Sequence, residues 1–167
     1  DKPFNRYYLH SVDGFVYMSE QVHSELRAYS DAPALFSPHP LFENFGERVE
    51  RSEACVRLGL DPANRYVLFF GLIRDYKGLD LLLDAWAQLR RAGRTEGRRL
   101  IVAGEFYTAR EPYLNRIADN GLQDEVLLHD RFIPDDDVKY YFSAADFVVQ
   151  PYKTATQSGV TQIAYQF

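Results

Sequence analysis

The chain has 167 residues, of which 46% are hydrophobic and 15% aromatic, enough for one globular domain or for one domain and part of another. Its formal net charge of −5 excludes a broadly basic surface for duplex nucleic acid, so we expect no nucleic-acid partner and only local phosphate recognition. The single cysteine, Cys55, excludes an internal disulfide and a cysteine metal cluster, which favours a reducing, cytoplasmic location.

No apolar run approaches the roughly 20 residues that span a bilayer, so no transmembrane segment is predicted. The amino end also lacks the apolar core of a signal peptide.

The first third of the chain predicts a small β-α unit and a crossover. The prolines of Ser37–Pro40 interrupt regular structure, and we interpret this segment as the crossover. The apolar spacing predicts, in order, a strand at 14–18, a helix at 20–29 capped by Ser19, a strand at 34–36 and a helix at 48–58.

The stretch from Tyr66 to Trp86 is the most informative part of the chain. Residues 66–70 are a continuous apolar run, typical of a strand buried on both faces of a parallel sheet, and Gly71 ends it. A helix is predicted from about Gly78, because apolar residues recur at helical spacing beyond it. The first amides of such a helix favour an anion just past the carboxyl end of the strand.

Arg74 and Lys77 stand in the turn between this strand and this helix. The planar fork of an arginine and the mobile point charge of a lysine could together hold a diphosphate. Arg and Lys are mostly exposed residues, so two solvated loop cations are the alternative interpretation of this turn taken alone.

The rest of the chain continues the alternation of strands and helices. We predict a loop at 91–99, strands at 100–103, 126–128 and 147–149, helices at 112–120 and 135–144, and a last helix that reaches Phe167. The alternation predicts an α/β fold with a doubly wound parallel sheet. In such sheets ligands bind beyond the carboxyl ends of the strands.

No metal site is predicted. Three consecutive acids, Asp135–Asp137, open a helix and are explained by capping and by the helix macrodipole. The four histidines are scattered without metal-ligand spacing.

The chain also lacks the phosphate-binding loop of ATPases, the dinucleotide-binding glycine motif and the nucleophile elbow, which argues against ATPase and simple dehydrogenase functions.

Several segments together resemble the nucleotide-sugar-binding domain of the family 4 retaining glycosyltransferases, which have the GT-B fold. The resemblance is carried by Tyr66–Trp86, by Leu100–Glu105 (LIVAGE) and by Tyr140–Tyr152 (YYFSAADFVVQPY), in the family's order and spacing. Upstream, Val12–Ser19 and Ser37–Pro40 are similar to the passage from the family's acceptor domain into its second domain. The resemblance covers most of the chain.

The resemblance implies transfer of a sugar from a nucleotide-diphosphate donor with retention at the anomeric carbon and without a metal or other cofactor. It implies that Arg74 and Lys77, beside Gly71, neutralise the leaving diphosphate. It places the loop at 129–134 near the nucleotide base, through backbone groups around Phe132 and Ile133. The partners would be the donor and a glycan, lipid or small-molecule acceptor that the sequence does not identify.

Two positions depart from the family pattern. The family's arginine directly follows the glycine, whereas here Leu72 holds that place and Arg74 lies two residues later. The family also has two glutamates, eight positions apart, that contact the donor sugar and the ribose, whereas the segment from Pro151 to Phe167 contains no acid. The groups that remain to bind the donor in this segment are Thr156, Gln157, Ser158, Gly159 and Gln162.

By the measure of this family the chain is an incomplete fragment. We assign residues 1–45 to the end of the acceptor domain and the crossover, and residues 46–167 to a donor-binding domain truncated at its carboxyl end. We therefore expect this fragment alone to have little or no transferase activity. Two alternatives stay open: a non-catalytic nucleotide-binding or interaction module that keeps the fold, and another GT-B chemistry such as nucleotide-sugar epimerisation.

Overall fold

The structure, a computed structural model, describes residues 3–155 and 157–167. The first part of the chain forms a small unit with a two-stranded parallel sheet, in which Phe15 pairs with Ala34. The hydroxyl of Ser19 accepts a hydrogen bond from the amide of Val22 at 3.3 Å, which confirms the predicted helix cap. The elements of this part are α1 (Pro3–His10), β1 (Phe15–Tyr17), α2 (Glu20–Arg27), β2 (Ala34–Phe36) and a 3-10 turn at Glu43–Phe45.

A larger unit with a four-stranded parallel sheet follows. Its elements are α3 (Arg51–Leu58), β3 (Arg65–Phe70), α4 (Leu79–Arg91), β4 (Arg98–Ala103), α5 (Glu111–Asp119), β5 (Val126–His129), α6 (Asp135–Ala144), β6 (Phe147–Val148) and α7 (Gly159–Gln166). The strands lie in the order β5-β4-β3-β6. This is the doubly wound α/β fold that the alternation of strands and helices predicts, and that prediction is confirmed.

Helices cover both faces of this sheet, as successive residues of β3 show. Leu68 points into one apolar cluster, which includes Tyr141 and Phe142 of α6. Phe69 points into the other, which includes Leu83 and Trp86 of α4. A strand buried on both faces needs apolar side chains at every position, and this accounts for the continuous run in the sequence.

The order of the strands sets the position of the site. From β3 the chain winds outward to β4 and β5, and then returns so that β6 pairs with the opposite side of β3. The connections beyond β3 and β6 therefore leave on opposite faces of the sheet and open a crevice between them. The place between β3 and β6, where the strand order reverses, is called the switch point, and doubly wound sheets bind ligands there.

Some predicted details are wrong. Helix α2 ends at Arg27 and α3 begins at Arg51, each shorter than predicted. Helix α6 has Pro134 at its N-cap without a side-chain cap, and Asp137 instead forms an ion pair with Arg57 at 3.1 Å, so capping does not explain the three acids. Their position near the positive end of the macrodipole remains favourable.

Three short elements were not expected from the sequence: α1, the 3-10 turn at Glu43–Phe45 and a 3-10 turn at Asp75–Lys77. The turn at Asp75–Lys77 is held by hydrogen bonds between residues three positions apart and is too short to show a periodic pattern. None of the helices within residues 3–155 and 157–167 has the length and apolar character that crossing a membrane requires.

The turn from β3 to α4 touches the loop after β6 backbone to backbone. Gly78 has φ +72°, and a Cβ at this position would overlap the carbonyl oxygen of Pro151. Gly93 has nearly the same φ, +69°, but nothing lies within 4 Å of the place where its Cβ would be. A substitution at Gly93 would thus cause backbone strain alone, whereas one at Gly78 would cause backbone strain and steric overlap.

We expect Gly78→Ala to lower the free energy of unfolding by about 2–5 kcal/mol, because strain of about 1–2 kcal/mol adds to an overpacking cost of about 1–3 kcal/mol. The matched variant Gly93→Ala should lose only the strain, about 1–2 kcal/mol. Urea denaturation followed by circular dichroism measures both. Equal losses in the two variants would show that the contact with Pro151 contributes nothing.

Candidate functional site

Three backbone segments meet at the carboxyl edge of the large sheet. Gly71 ends β3 with φ +98°, and a Cβ on Gly104, at the end of β4, would overlap the carbonyl oxygen of Gly71. The third segment is the loop after β6, whose Pro151 touches Gly78. These contacts bring the turn after β3 and the loop after β6 together at the switch point.

Lys77 is the buried cation of this crevice. It is 8% exposed, and its Nζ lies 3.0 Å from where a Cβ on Gly71 would be. Within residues 3–155 and 157–167, no carboxylate lies within 4.0 Å of this Nζ and no acceptor is hydrogen-bonded to it. Burial, and then the positive charge of Arg74, lower the pKa of Lys77. A partly desolvated ammonium without a counter-ion is costly, and an anion that enters the crevice would relieve that cost.

Arg74 has a different environment. It is exposed, and its guanidinium carbon lies 5.2 Å from the ring centroid of Tyr107, in the segment between β4 and α5. The carbonyl of Arg74 accepts the amide of Lys77 at 3.0 Å, so both cations belong to one turn. The alternative of two solvated loop cations therefore fits Arg74 but not Lys77.

Polar side chains of the loop after β6 form a connected network beside Lys77. The Nζ of Lys77 lies 5.8 Å from the ring centroid of Tyr152. The Tyr152 hydroxyl lies 3.1 Å from Ser158 Oγ and accepts a hydrogen bond from Gln150 Nε2 at 3.3 Å. Gln150 in turn donates to Ser158 at 3.1 Å and accepts from Thr161 at 2.7 Å. The network is uncharged and joins the loop to the first turn of α7.

An ion pair fastens this loop to the turn that carries Lys77. Lys153 Nζ lies 2.9 Å from Asp80 Oδ2 and 3.4 Å from Asp75 Oδ1, and its amide donates to the carbonyl of Tyr76 at 2.8 Å. Hydrogen bonding to Asp80 raises the pKa of Lys153, the opposite direction from Lys77. Two neighbouring lysines are thus distinguished by their partners, and Lys77 is the one left available to a ligand.

An open cleft of about 960 Å³ lies between α2 and this loop. Gln21 and Glu25 line one wall, and Tyr152, Gln157 and Ser158 line the other. The volume suits a small polar ligand. Among the described lining residues Glu25 is the only carboxylate, and it comes from the part of the chain before the crossover.

The predicted site residues do not all lie together. Gly71 and Lys77 meet at the switch point, and Ser158 is hydrogen-bonded to Tyr152 beside Lys77. Gly159 begins α7, with its Cβ position 3.1 Å from the ring of Phe42. Gln157 is exposed in the cleft, Gln162 is half-buried on α7, and Thr156 lies outside the described residues.

Phe132 and Ile133 lie elsewhere. They follow β5, at the opposite edge of the sheet from β6; Phe132 is 65% exposed, whereas Ile133 is buried in the core. A second crevice, of about 540 Å³, lies at this end of β5 and is lined by His129 and Arg131. His129 Nδ1 lies 2.8 Å from the Tyr141 hydroxyl, and burial followed by the charge of Arg131 lowers the pKa of His129. Contact of this loop with a nucleotide base stays a prediction.

Gln150, Tyr152 and Thr161 were not predicted as site residues from the sequence. No motif marks them, because hydrogen bonds across two to eleven positions in an irregular loop have no periodicity. The signal available was the place of Tyr152, a few residues after a buried strand and therefore at the ligand-binding edge of the sheet. The described residues contain no group of three or more His, Cys, Asp or Glu side chains arranged to hold a metal ion.

Comparison with known proteins gives a consistent family. The model of the family described as glycosyl transferases group 1 matches residues 64–166, more than half of the chain. The lipopolysaccharide core biosynthesis mannosyltransferase LpsB of Rhizobium meliloti is 32% identical over 136 residues, 74% of this chain and 35% of that protein. The D-inositol 3-phosphate glycosyltransferase of Pseudarthrobacter chlorophenolicus is 31% identical over 101 residues, 60% of this chain and 24% of the relative. The chain thus spans about a third or less of these relatives.

Solved structures share the fold. Sucrose-phosphate synthase from Thermosynechococcus elongatus superposes with a TM-score of 0.76 at 22% identity, over 93% of this chain and 39% of the other. Anabaena HepE, solved in complex with UDP and glucose, has a TM-score of 0.72 at 16% identity, over 95% of this chain and 45% of the other. Both are GT-B glycosyltransferase structures, and at these identities they show the fold alone. With the family model matched across the unit that carries Lys77, this chain belongs to the group 1 glycosyl transferases.

Proposed function

We propose that this chain is the donor-binding part of a retaining glycosyltransferase and that it binds a nucleoside-diphosphate sugar at the switch point between β3 and β6. One observation carries the proposal: the side chain of Lys77 is largely buried in the crevice, and its ammonium has no counter-ion among the described residues. The diphosphate of a nucleotide sugar supplies the missing negative charge.

The chemistry asked of this site is charge stabilisation. Breaking the bond between sugar and diphosphate builds negative charge on the leaving oxygens while the sugar becomes oxocarbenium-like. A preorganised cation aimed at those oxygens lowers the barrier, and loss of one such donor costs about 100-fold or more in turnover. Lys77 is the primary candidate, and Arg74 would reach the diphosphate from the rim of the same turn.

The sugar would lie in the cleft lined by Gln150, Tyr152 and Ser158. Amide and hydroxyl groups both donate and accept, so they can hydrogen-bond sugar hydroxyls without adding charge. The relative LpsB is a mannosyltransferase, and HepE was solved with UDP and glucose. Nucleotide donors that carry mannose or glucose are therefore the first ligands to test. The free, buried Cys55 supports our proposal of a cytoplasmic location.

The proposal is tested by calorimetric titration of the protein with UDP, GDP and ADP, each with and without an attached glucose or mannose. We expect one of the three diphosphates to bind, and Lys77→Ala to weaken it about 10- to 100-fold, as expected for a charge-assisted hydrogen bond. Arg74→Ala should weaken it less, because Arg74 is exposed.

Lys139→Ala is the matched control, because Lys139 is a lysine of α6 whose ammonium lies over Tyr140 rather than at the switch point. The Lys139→Ala variant should bind the diphosphate with the same affinity as the unmodified protein. If diphosphate binding survives both Arg74→Ala and Lys77→Ala, the proposed site is wrong. Binding of nucleotides without any discrimination for the attached sugar favours the non-catalytic module instead.

The affinity should also depend on pH. The diphosphate binds the ammonium form of Lys77, and the pKa of this group is lowered, so the affinity should fall as the pH rises, at lower pH than for an ordinary lysine. Titrations between about pH 7 and about pH 10 measure this, above the pH at which the phosphate itself changes charge. In Lys77→Arg the alkaline loss should disappear, because a guanidinium stays charged. An unchanged alkaline loss in Lys77→Arg would assign it to another group.

We further propose that the diphosphate is neutralised by the chain's own cations and not by a divalent ion. The affinity for the diphosphate should then be the same in the presence of EDTA and of Mg²⁺. A loss of binding in EDTA that Mg²⁺ restores would contradict this, since Mg²⁺ is usually held by carboxylates together with phosphate oxygens.

A further inference from the structure

Tyr152 lies between the proposed diphosphate site and the cleft for the sugar. Its ring centroid is 5.8 Å from Lys77 Nζ, within the distance at which an ammonium is attracted to the face of an aromatic ring. Lys77 has no carboxylate partner among the described residues, so this ring is the group that the structure places against its charge.

The ring is held in place from several sides. Its hydroxyl is bound by Ser158 at 3.1 Å and by Gln150 at 3.3 Å. The ring of Tyr76 packs edge-on at a centroid distance of 6.0 Å. Burial raises the pKa of the Tyr152 hydroxyl, so the hydroxyl stays neutral and able to donate at ordinary pH.

The loop that carries Tyr152 is itself fastened to the turn that carries Lys77. Pro151 packs against Gly78, and Lys153 binds the carbonyl of Tyr76 and the carboxylate of Asp80. The residues on both sides of Tyr152 therefore contact the same turn. The backbone positions from which Lys77 and Tyr152 extend are thus fixed relative to each other.

We propose that Tyr152 is a positioning residue for Lys77, which holds the ammonium in the crevice by its ring face and leaves its charge available to the diphosphate. A carboxylate in the same place would also hold the lysine, but it would neutralise the ammonium and repel the diphosphate. An aromatic ring attracts the cation without carrying a negative charge. The inference rests on the proposed function, because it assumes that a diphosphate is what Lys77 receives.

The test uses Tyr152→Leu, which removes the ring, and Tyr152→Phe, which keeps the ring and removes the hydroxyl. Calorimetry measures binding of the nucleoside diphosphate that the unmodified protein prefers, and of the same nucleoside without phosphate. We expect Tyr152→Leu to weaken the diphosphate about 3- to 30-fold and to leave the nucleoside unchanged, from the usual strength of a cation over a ring. Tyr152→Phe should retain most of the diphosphate affinity.

A double-mutant cycle separates positioning from a general structural role. In the Lys77→Ala background, Tyr152→Leu should cause no further loss of diphosphate affinity, because the group it positions is gone. Tyr165→Leu is the control for loss of a tyrosine, since Tyr165 lies on α7 and is 76% exposed, and it should bind as the unmodified protein does. Circular dichroism verifies that each variant is folded, and Tyr152→Met, which fills more of the space of the ring, replaces the leucine variant if that one does not fold.

Three results would overturn the inference. The first is a diphosphate affinity that Tyr152→Leu leaves unchanged, and the second is a loss of nucleoside affinity in Tyr152→Leu as large as the loss of diphosphate affinity. The third is that Tyr152→Leu weakens diphosphate binding as much in the Lys77→Ala background as in the unmodified protein. Absence of diphosphate binding by the unmodified protein is a different result, which overturns the proposed function and this inference with it. Binding by the unmodified protein that Tyr152→Leu leaves intact overturns only the positioning role.

Discussion

Close backbone contact at the carboxyl edge of the large sheet is the constraint on which the site depends. Gly104 lies against the carbonyl of Gly71, and Gly78 lies against the carbonyl of Pro151, each without room for a side chain. Three connections that leave three different strands are thereby drawn together. The turn after β3 and the loop after β6 can then share one crevice, and the side chains they carry, Lys77 and Tyr152, meet there.

This packing explains how a lysine comes to be buried without a carboxylate. The 3-10 turn directs Lys77 back toward Gly71, where the absence of a Cβ leaves space for the ammonium. The two acidic residues of the same turn and helix start, Asp75 and Asp80, form ion pairs with Lys153. Desolvation of a charge costs free energy, and groups whose pKa is shifted in this way are concentrated at functional sites.

The segment from Pro151 to Phe167 contains no carboxylate. Instead it contributes to a neutral network around Gln150 and Ser158, and Glu25 of α2, the one carboxylate among the described lining residues, faces that network across the cleft. The polar groups on the two walls come from different parts of the chain. Their cooperation depends on how the small unit is set against the large one, which local sequence patterns do not encode.

The sequence by itself determined the fold class and the place of the turn that carries Lys77 in the candidate site. The apolar run of 66–70 and the helical spacing after Gly78 specify a buried strand followed by a helix, and both depend only on local periodicity. The place of Lys77 followed from that order, because the turn after a parallel strand lies at the ligand-binding edge of the sheet.

The tertiary structure decided the rest. Only the return of β6 to the side of β3 brings Tyr152 to Lys77, and only packing decides that Lys77 is buried whereas Arg74 is exposed. These outcomes depend on contacts between residues about 75 positions apart, and such contacts leave no periodic trace in the sequence.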